Sequence, residues 1–121
     1  MYGFEYLKNF LREEGFRINE KENSFSFKYN GVVYSVSKEE KKFLEINLIC
    51  NTKDTNRSKL LEVCNSLNRE KFVLKLSVDS DNDVWCSYEF VPTEDTTPDD
   101  YDTIFEMMDK VTDELFSRLK Q

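Results

Sequence analysis

Apolar residues recur with a helical spacing in two stretches of the first seventy residues. In residues 2–14 they fall three and four positions apart, which predicts an amphipathic helix that Gly15 ends. A second such pattern follows a polar segment in which Asp54 or Thr55 can serve as the N-cap, and it extends to about Asn68. Both patterns leave charged side chains on the opposite side, so each helix is expected to pack one face against a core.

A third helix is predicted after a loop that is rich in Pro, Thr and acidic residues. Thr97 is expected to cap this helix, and Pro98 is expected to occupy its first position. Asp99 and Asp100 then lie in the first turn, where the helix dipole favours negative charge, and Arg118 lies in the last. We therefore interpret the acidic loop as a solvated helix start rather than as a charged binding tail.

The segment SFSFKYNGVVYSVS, residues 24–37, alternates between apolar and polar positions around an Asn-Gly pair. Asn30 and Gly31 are the preferred residues for a two-residue turn in which both central residues have positive φ. Such a turn pairs Tyr29 with Val32 and fixes the register of both strands. The sequence therefore predicts a β-hairpin with one apolar face.

Three further stretches alternate with the period of a β-strand, at residues 43–50, 71–79 and 84–91. The short segment between the last two is expected to form a turn. The resulting order is α-βββ-α-ββ-α, without an internal repeat or a domain boundary within residues 1–121. It predicts one α+β domain in which an antiparallel sheet of five or more strands packs with three helices.

Apolar residues also occur on the second face of these strands, although a sheet face in contact with water should be polar. They are Val33, Phe43, Ile49, Val73, Trp85 and Val91. Two interpretations stay open. In the first, helices partly cover both faces or these residues are scattered singly. In the second, they form a contiguous patch for a second subunit or an extended peptide.

The composition narrows the classes of partner and compartment. The chain has 121 residues, a net charge of −7 and no basic cluster, which argues against binding to nucleic acid or anionic membranes. No apolar run is long enough for a membrane span, and the first residues lack the features of a signal peptide. The cysteines Cys50, Cys64 and Cys86 form no CxxC pair and are expected to be buried, inert thiols in a reducing cytoplasm.

The sequence contains few residues suited to catalysis. It has no histidine, which removes serine–histidine and cysteine–histidine nucleophiles, histidine metal ligands and the commonest general base. It also lacks a Gly-rich phosphate loop and a nucleophile elbow. We therefore expect a protein without enzymatic activity, cofactor or metal.

Asp79, Asp81 and Asp83 stand at alternate positions, as the first ligands of a calcium-binding loop do. Such a loop requires Gly at its sixth position and Glu at its twelfth, but these positions hold Val84 and Phe90. Strand patterns, not helices, flank the segment. We therefore interpret the three acids as turn residues that bond to their own backbone, and not as a metal site.

The stretch VCNSLNREKFVLKLSVDSDNDVWCSYEF, residues 63–90, resembles the YbjN-like family, which is named for sensory transduction regulators of bacteria. The shared elements are Asn65 and Asn68 near the end of the second helix, a charged step, an apolar strand, an acidic turn and a Val-Trp pair. The element order of the whole chain also resembles the type III secretion chaperone-like fold. In physical terms, Asn68 can end the helix, and Asn65 can bond to the backbone of a neighbouring loop.

The resemblance implies a non-enzymatic bacterial protein that is often dimeric and binds other proteins. Two functions stay open: a protein-binding or regulatory module of the YbjN-like type, or a secretion-type chaperone that holds an extended segment of its client. We predict a homodimer whose interface is either the second sheet face or the second helix. On that helix the candidate residues are Leu60, Leu61, Val63 and Leu67.

Overall fold

The computed structural model describes residues 3–39, 43–70 and 74–121, and its elements follow the predicted order with one short strand added. The helices are α1 (Phe4–Glu13), α2 (Arg57–Glu70) and α3 (Pro98–Leu119). The strands are β1 (Asn19–Glu20), β2 (Ser24–Tyr29), β3 (Val32–Glu39), β4 (Phe43–Cys50), β5 (Lys75–Val78) and β6 (Val84–Phe90). The first three residues of the strand predicted at 71–79 lie outside the described residues.

The described strands form one antiparallel sheet in the order β1-β2-β3-β4-β6-β5. The first four strands are neighbours in chain order, and β6 then inserts between β4 and β5 after the chain has passed through α2. The sheet and the three helices confirm the predicted α+β class. The insertion of β6 places the Val-Trp pair of the sequence on the strand between β4 and the edge strand β5.

The three helices and one face of the sheet enclose the hydrophobic core. Its buried residues include Leu7 of α1, Leu60 of α2 and Leu115 of α3. An aromatic cluster lies within this core, where the ring of Phe105 is 5.3 Å from that of Phe27 and 5.5 Å from that of Tyr34. Large aromatic side chains contribute most to core energetics, so this cluster ties α3 to the β2–β3 hairpin. Burial also raises the pKa of Tyr34 above its ordinary value.

Helix α1 ends at a glycine, as predicted. Gly15 has φ +96°, a conformation that residues with a Cβ rarely adopt. The N–H of Gly15 donates to the carbonyl of Arg12, and the N–H of Phe16 donates to the carbonyl of Leu11, both at 3.0 Å. This pair of bonds is a Schellman motif. It turns the chain back toward the sheet immediately after the helix.

The β2–β3 hairpin has the predicted turn and register. Asn30 and Gly31 have φ values of 50° and 79°, and Tyr29 pairs with Val32. Both central residues therefore adopt the positive φ that a two-residue hairpin needs. Local turn chemistry and strand alternation agree at this place, which is why the register could be predicted.

Helix α2 begins later than predicted. Its N-cap is Asn56, whose side-chain oxygen accepts a hydrogen bond from the backbone N–H of Lys59 at 3.2 Å. The predicted caps, Asp54 and Thr55, precede this residue and lie in the loop after β4. All three residue types favour the N-cap, so the sequence left the first helical residue ambiguous.

Helix α2 also ends later, because Asn68 does not serve as its C-cap. The helix continues through Asn68 to Glu70. The Asn68 amide donates to the carbonyl of Leu76 at 2.9 Å, and its oxygen accepts from the N–H of Leu76 at 2.7 Å. We predicted a hydrogen bond to neighbouring backbone for Asn65, but Asn65 is exposed. Asn68 makes such a bond instead. It closes the outer edge of β5 at Leu76.

Helix α3 begins as predicted, with Thr97 at the N-cap and Pro98 at the first position. The N–H of Thr97 donates to the carboxylate of Asp100 at 2.8 Å. The acidic residue in the first turn thus satisfies a backbone donor in addition to its favourable interaction with the helix dipole. The solvated helix start is consistent with this geometry.

Candidate functional site: the open face of the sheet

No described helix packs on the second face of the sheet. The buried apolar side chains of the strands point toward the helices, and the alternate positions point away from them. We call this second surface the open face. Its described residues on β2, β3, β4, β5 and β6 include Ser26, Lys28, Val33, Ser35, Phe43, Glu45, Asn47, Ile49, Lys75, Ser77, Trp85, Ser87 and Glu89.

Three apolar residues form a row across strands β3, β4 and β6 near one end of the open face, which we call the apolar row. The β4–β6 register pairs Ile49 with Trp85, and the β3–β4 register, which pairs Tyr34 with Leu48, brings Val33 beside Ile49. Val33 is 51% exposed and Ile49 is 45% exposed, whereas Trp85 is partly buried. This adjacency favours the contiguous-patch interpretation for these three residues over singly scattered ones.

A row of polar side chains runs parallel to the apolar row. Its cross-strand pairs are Ser26–Ser35, Ser35–Asn47, Asn47–Ser87 and Ser87–Lys75. Asn47 is only 5% exposed although no described helix covers it. Its amide donates to Glu45 at 2.7 Å, and its oxygen accepts from the hydroxyl of Ser87 at 2.5 Å. Asn47 is therefore a buried polar residue whose hydrogen bonds are made to its neighbours on the same face.

The other predicted residues of the second face lie apart from the apolar row. Phe43 is partly buried, and Val91, just past the end of β6, is 62% exposed. Because Leu44 pairs with Phe90, these two residues occupy one end of the sheet, beyond the polar row. Val73 lies outside the described residues. The apolar residues of the open face thus form two groups that lie at opposite ends of the strands.

Helix α2 exposes fewer of its candidate interface residues than predicted. Leu60 and Leu67 are completely buried, and Val63 is 9% exposed, so all three belong to the core. Leu61 alone among the four candidates is exposed, at 43%. The proposed interface on the second helix is therefore wrong for the three core residues and reduces to Leu61.

The acidic turn holds Trp85 in place. The carboxylate of Asp79 accepts hydrogen bonds from the indole nitrogen of Trp85 at 2.7 Å and from the N–H groups of Asp81 and Asp83, both at 2.9 Å. These bonds hold the pKa of Asp79 below its ordinary value, and the bond from the Trp85 indole is the largest cause. The predicted turn role of Asp79 agrees with this geometry. Among the described residues, no group of three or more Cys, Asp or Glu side chains could hold a metal ion.

Asn82 joins the same turn to the loop that precedes α2. Asn82 has φ +67°, and its side-chain amide donates to the carbonyls of Thr55 at 2.6 Å and Lys53 at 3.2 Å. The hydroxyl of Thr52 donates back to the carbonyl of Asn82 at 2.8 Å. The β5–β6 turn and the β4–α2 loop are therefore fixed to each other at the end of the sheet nearest Trp85. Sequence reasoning missed this contact, because it joins segments about thirty residues apart.

The thiols lie in the core. Cys50, Cys64 and Cys86 are buried and free of disulfide bonds. Burial raises the pKa of Cys50 to about 11 and that of Cys86 to about 12, and it raises the pKa of Cys64 as well. Because the thiolate is the reactive form of cysteine, thiols with such raised pKa values are expected to be inert.

Two solved structures share the fold. A crystal structure of an uncharacterized protein from Methanothermobacter thermautotrophicus matches with a TM-score of 0.73 and 14% identity, covering 96% of this chain and 95% of the other. The crystal structure described as "YbjN, a putative transcription regulator from E. coli" matches with a TM-score of 0.64 and 12% identity, covering 98% and 90%. At these identities the likeness concerns the fold. None of the curated proteins matches the chain.

The sequence itself matches a family model over residues 5–121. The chain belongs to the YbjN family, whose description is "Putative bacterial sensory transduction regulator". The match confirms the resemblance whose specific motif is residues 63–90. Within the described residues, no helix is both long and apolar enough to cross a membrane.

Proposed function

We propose that this chain is a non-catalytic regulatory module that acts by binding protein, and that its open face is the binding surface. The observation that carries the proposal is the apolar row of Val33, Ile49 and Trp85, which no described helix covers. Exposed contiguous apolar residues among polar neighbours are typical of interaction surfaces. The net charge of −7 supports protein rather than nucleic acid as the partner.

The partner we propose for this face is a second copy of the chain. Ile49 lies on a central strand with Val33 on one side and Trp85 on the other. A two-fold axis near Ile49 therefore lets Val33 of one subunit meet Trp85 of the partner subunit, and the reverse. Six strands spaced about 4.8 Å apart give a face about 24 Å wide. A stable interface buries about 800 Å² per partner, roughly a tenth of the 7716 Å² surface of this chain.

Several features support a role without catalysis. The chain has no histidine, and its thiols are buried with raised pKa values. Three unpaired buried thiols also support a cytoplasmic location, where such groups stay reduced. The secretion-chaperone alternative has no comparable support, since α2 presents Leu61 rather than an apolar groove.

The experiment is light scattering of two matched variants. Ile49 and Leu61 are aliphatic residues with exposures of 45% and 43% on different surfaces. We expect the wild-type chain to show twice its 14.4 kDa mass at micromolar concentration. Ile49→Glu should give the monomer, and Leu61→Glu should leave the dimer intact. Trp85 is a poorer choice for substitution, because its indole also holds Asp79.

Two results would contradict this assignment. A monomer mass for the wild-type chain across dilution excludes self-association, and loss of the dimer in Leu61→Glu alone transfers the interface to α2. Circular dichroism of each variant establishes that it is folded. Because each subunit carries a charge of −7, association is also expected to strengthen as salt is added.

A further inference from the structure

A cleft of about 530 Å³ opens at the outer edge of the sheet, between β2 and the segment that follows α1. Its volume lies within the range of small-molecule sites. The residues that line it are Gly15, Phe16, Arg17, Asn19, Ser26, Phe27, Lys28 and Val33. Apolar, aromatic and basic side chains therefore meet in one concave place.

The cleft exists because the chain first runs beside β2 and pairs with that strand only further on. The Schellman motif at Gly15 directs the chain back, and the ring of Phe16 packs 5.4 Å from that of Phe27. Pairing begins only at Asn19, opposite Ser26. Residues 16–18 are thus held against the strand by an aromatic contact rather than by a hydrogen-bonded ladder, and a gap remains.

The two basic side chains of the cleft have no ionic partner among the described residues. Arg17 and Lys28 are both exposed, and neither makes an ion pair with a described carboxylate. Nearby on α1 the situation is different, since Lys8 and Arg12 each bond to Glu20 at 2.8 Å. In a chain with a net charge of −7, two uncompensated positive charges at the rim of a cleft favour an anion.

A second cavity provides the contrast. It has a volume of about 370 Å³ and lies between β6 and the start of α3. The charged residue in its lining is Asp100, and the rest of the lining is apolar or hydroxylic. A ligand attracted by positive charge should therefore prefer the cleft beside β2 to this cavity.

We propose that the cleft binds a small organic monocarboxylate with an apolar body. Arg17 and Lys28 receive the carboxylate, because charge-assisted hydrogen bonds from such groups are the strong ones. Phe16, which also lines the cleft, receives the hydrocarbon part. The residues assigned to the ligand, Phe16, Arg17 and Lys28, come from one subunit and lie outside the apolar row.

The test uses octanoate as the probe and two-dimensional amide NMR as the readout. We expect saturable shifts at the amides of Gly15, Arg17 and Lys28. Octylammonium has the same hydrocarbon body with the opposite charge and should not reproduce them, and acetate, which has the charge without the body, should bind much more weakly. Removing both charges with Arg17→Gln and Lys28→Gln should weaken octanoate binding by at least about tenfold.

The control for loss of positive charge away from the cleft is Lys110→Gln, at an exposed position on α3. It should leave octanoate affinity unchanged. The proposal is overturned if octylammonium gives the same shifts, if the shifts do not saturate or lie elsewhere, or if the double variant binds octanoate as the wild type does. Both substituted positions are exposed, so the double variant is expected to fold, and its amide spectrum reports this directly.

Discussion

Asn82 and Asn30 allow the contribution of one side-chain amide to be separated from the contribution of the backbone. Both residues have positive φ, at 67° and 50°. The Asn82 amide donates to the carbonyls of Thr55 and Lys53 at 2.6 and 3.2 Å. The Asn30 amide makes one exposed contact with Asp109 at 3.4 Å. Gly tolerates the backbone conformation at both positions, and substitution by Gly removes the side chain.

The expected magnitudes follow from these contacts. Asn82→Gly loses these two hydrogen bonds and two longer contacts at 3.5 Å, to the carbonyl of Thr52 and from the guanidinium of Arg57. With a net contribution of about 0.5–1.5 kcal/mol from each of the two shorter bonds, the free energy of unfolding should fall by about 2 kcal/mol. For a chain of this length, that change lowers Tm by about 8 °C. Asn30→Gly has the same change in backbone freedom but loses only a weak exposed contact, so it should lie within about 0.5 kcal/mol of the wild type.

The assay is urea unfolding followed by circular dichroism, with the free energy extrapolated to water for both variants. The difference between the two variants is the quantity of interest, because backbone effects on the unfolded chain largely cancel in it. Equal losses in Asn82→Gly and Asn30→Gly would refute the reasoning, since the amide of Asn82 would then contribute nothing beyond its backbone conformation.

Three further predictions concern the acidic turn and the thiols. Millimolar calcium should leave Tm unchanged, because the Asp79 carboxylate already accepts three hydrogen bonds; a rise of several degrees would indicate binding to the native state. The pKa of Asp79 is lowered from 3.8, so the stability that its carboxylate contributes is present above that pH and is lost as the pH falls below it. In urea titrations at decreasing pH, the free energy of unfolding of Asp79→Asn should therefore fall less than that of the wild type. Cys50, Cys64 and Cys86 should react slowly with a thiol reagent in native protein and rapidly in urea, and fast native labelling of Cys86 would contradict its burial.

The elements that the sequence predicts best are those fixed by local chemistry. Asn30-Gly31 determines the hairpin turn, and Gly15 provides the left-handed residue that ends α1. Each of these features involves residues a few positions apart, so the responsible interactions are visible in a short segment. The same holds for Thr97 and Pro98 at the start of α3.

The features that escaped prediction depend on contacts between distant segments. Asn68 continues α2 because its amide bonds to Leu76 on β5, and no local pattern identifies that partner. Strand β1 has two residues, too few for an alternation to be recognised. The apolar row was foreseen as a set of residues, but its contiguity required the placement of β6 beside β4.

The construction of the sheet edges bears on how this sheet can meet another copy of itself. At the β5 edge, the amide of Asn68 occupies both the N–H and the carbonyl of Leu76, so an additional strand cannot pair there. At the opposite edge, β1 is two residues long, and the part of β2 beyond it carries exposed Lys28, a residue type that opposes edge-to-edge pairing. The described edges therefore offer no long run of free backbone groups. The self-association proposed above would therefore use the side chains of Val33, Ile49 and Trp85 rather than an added strand, which is why Ile49→Glu is expected to give the monomer.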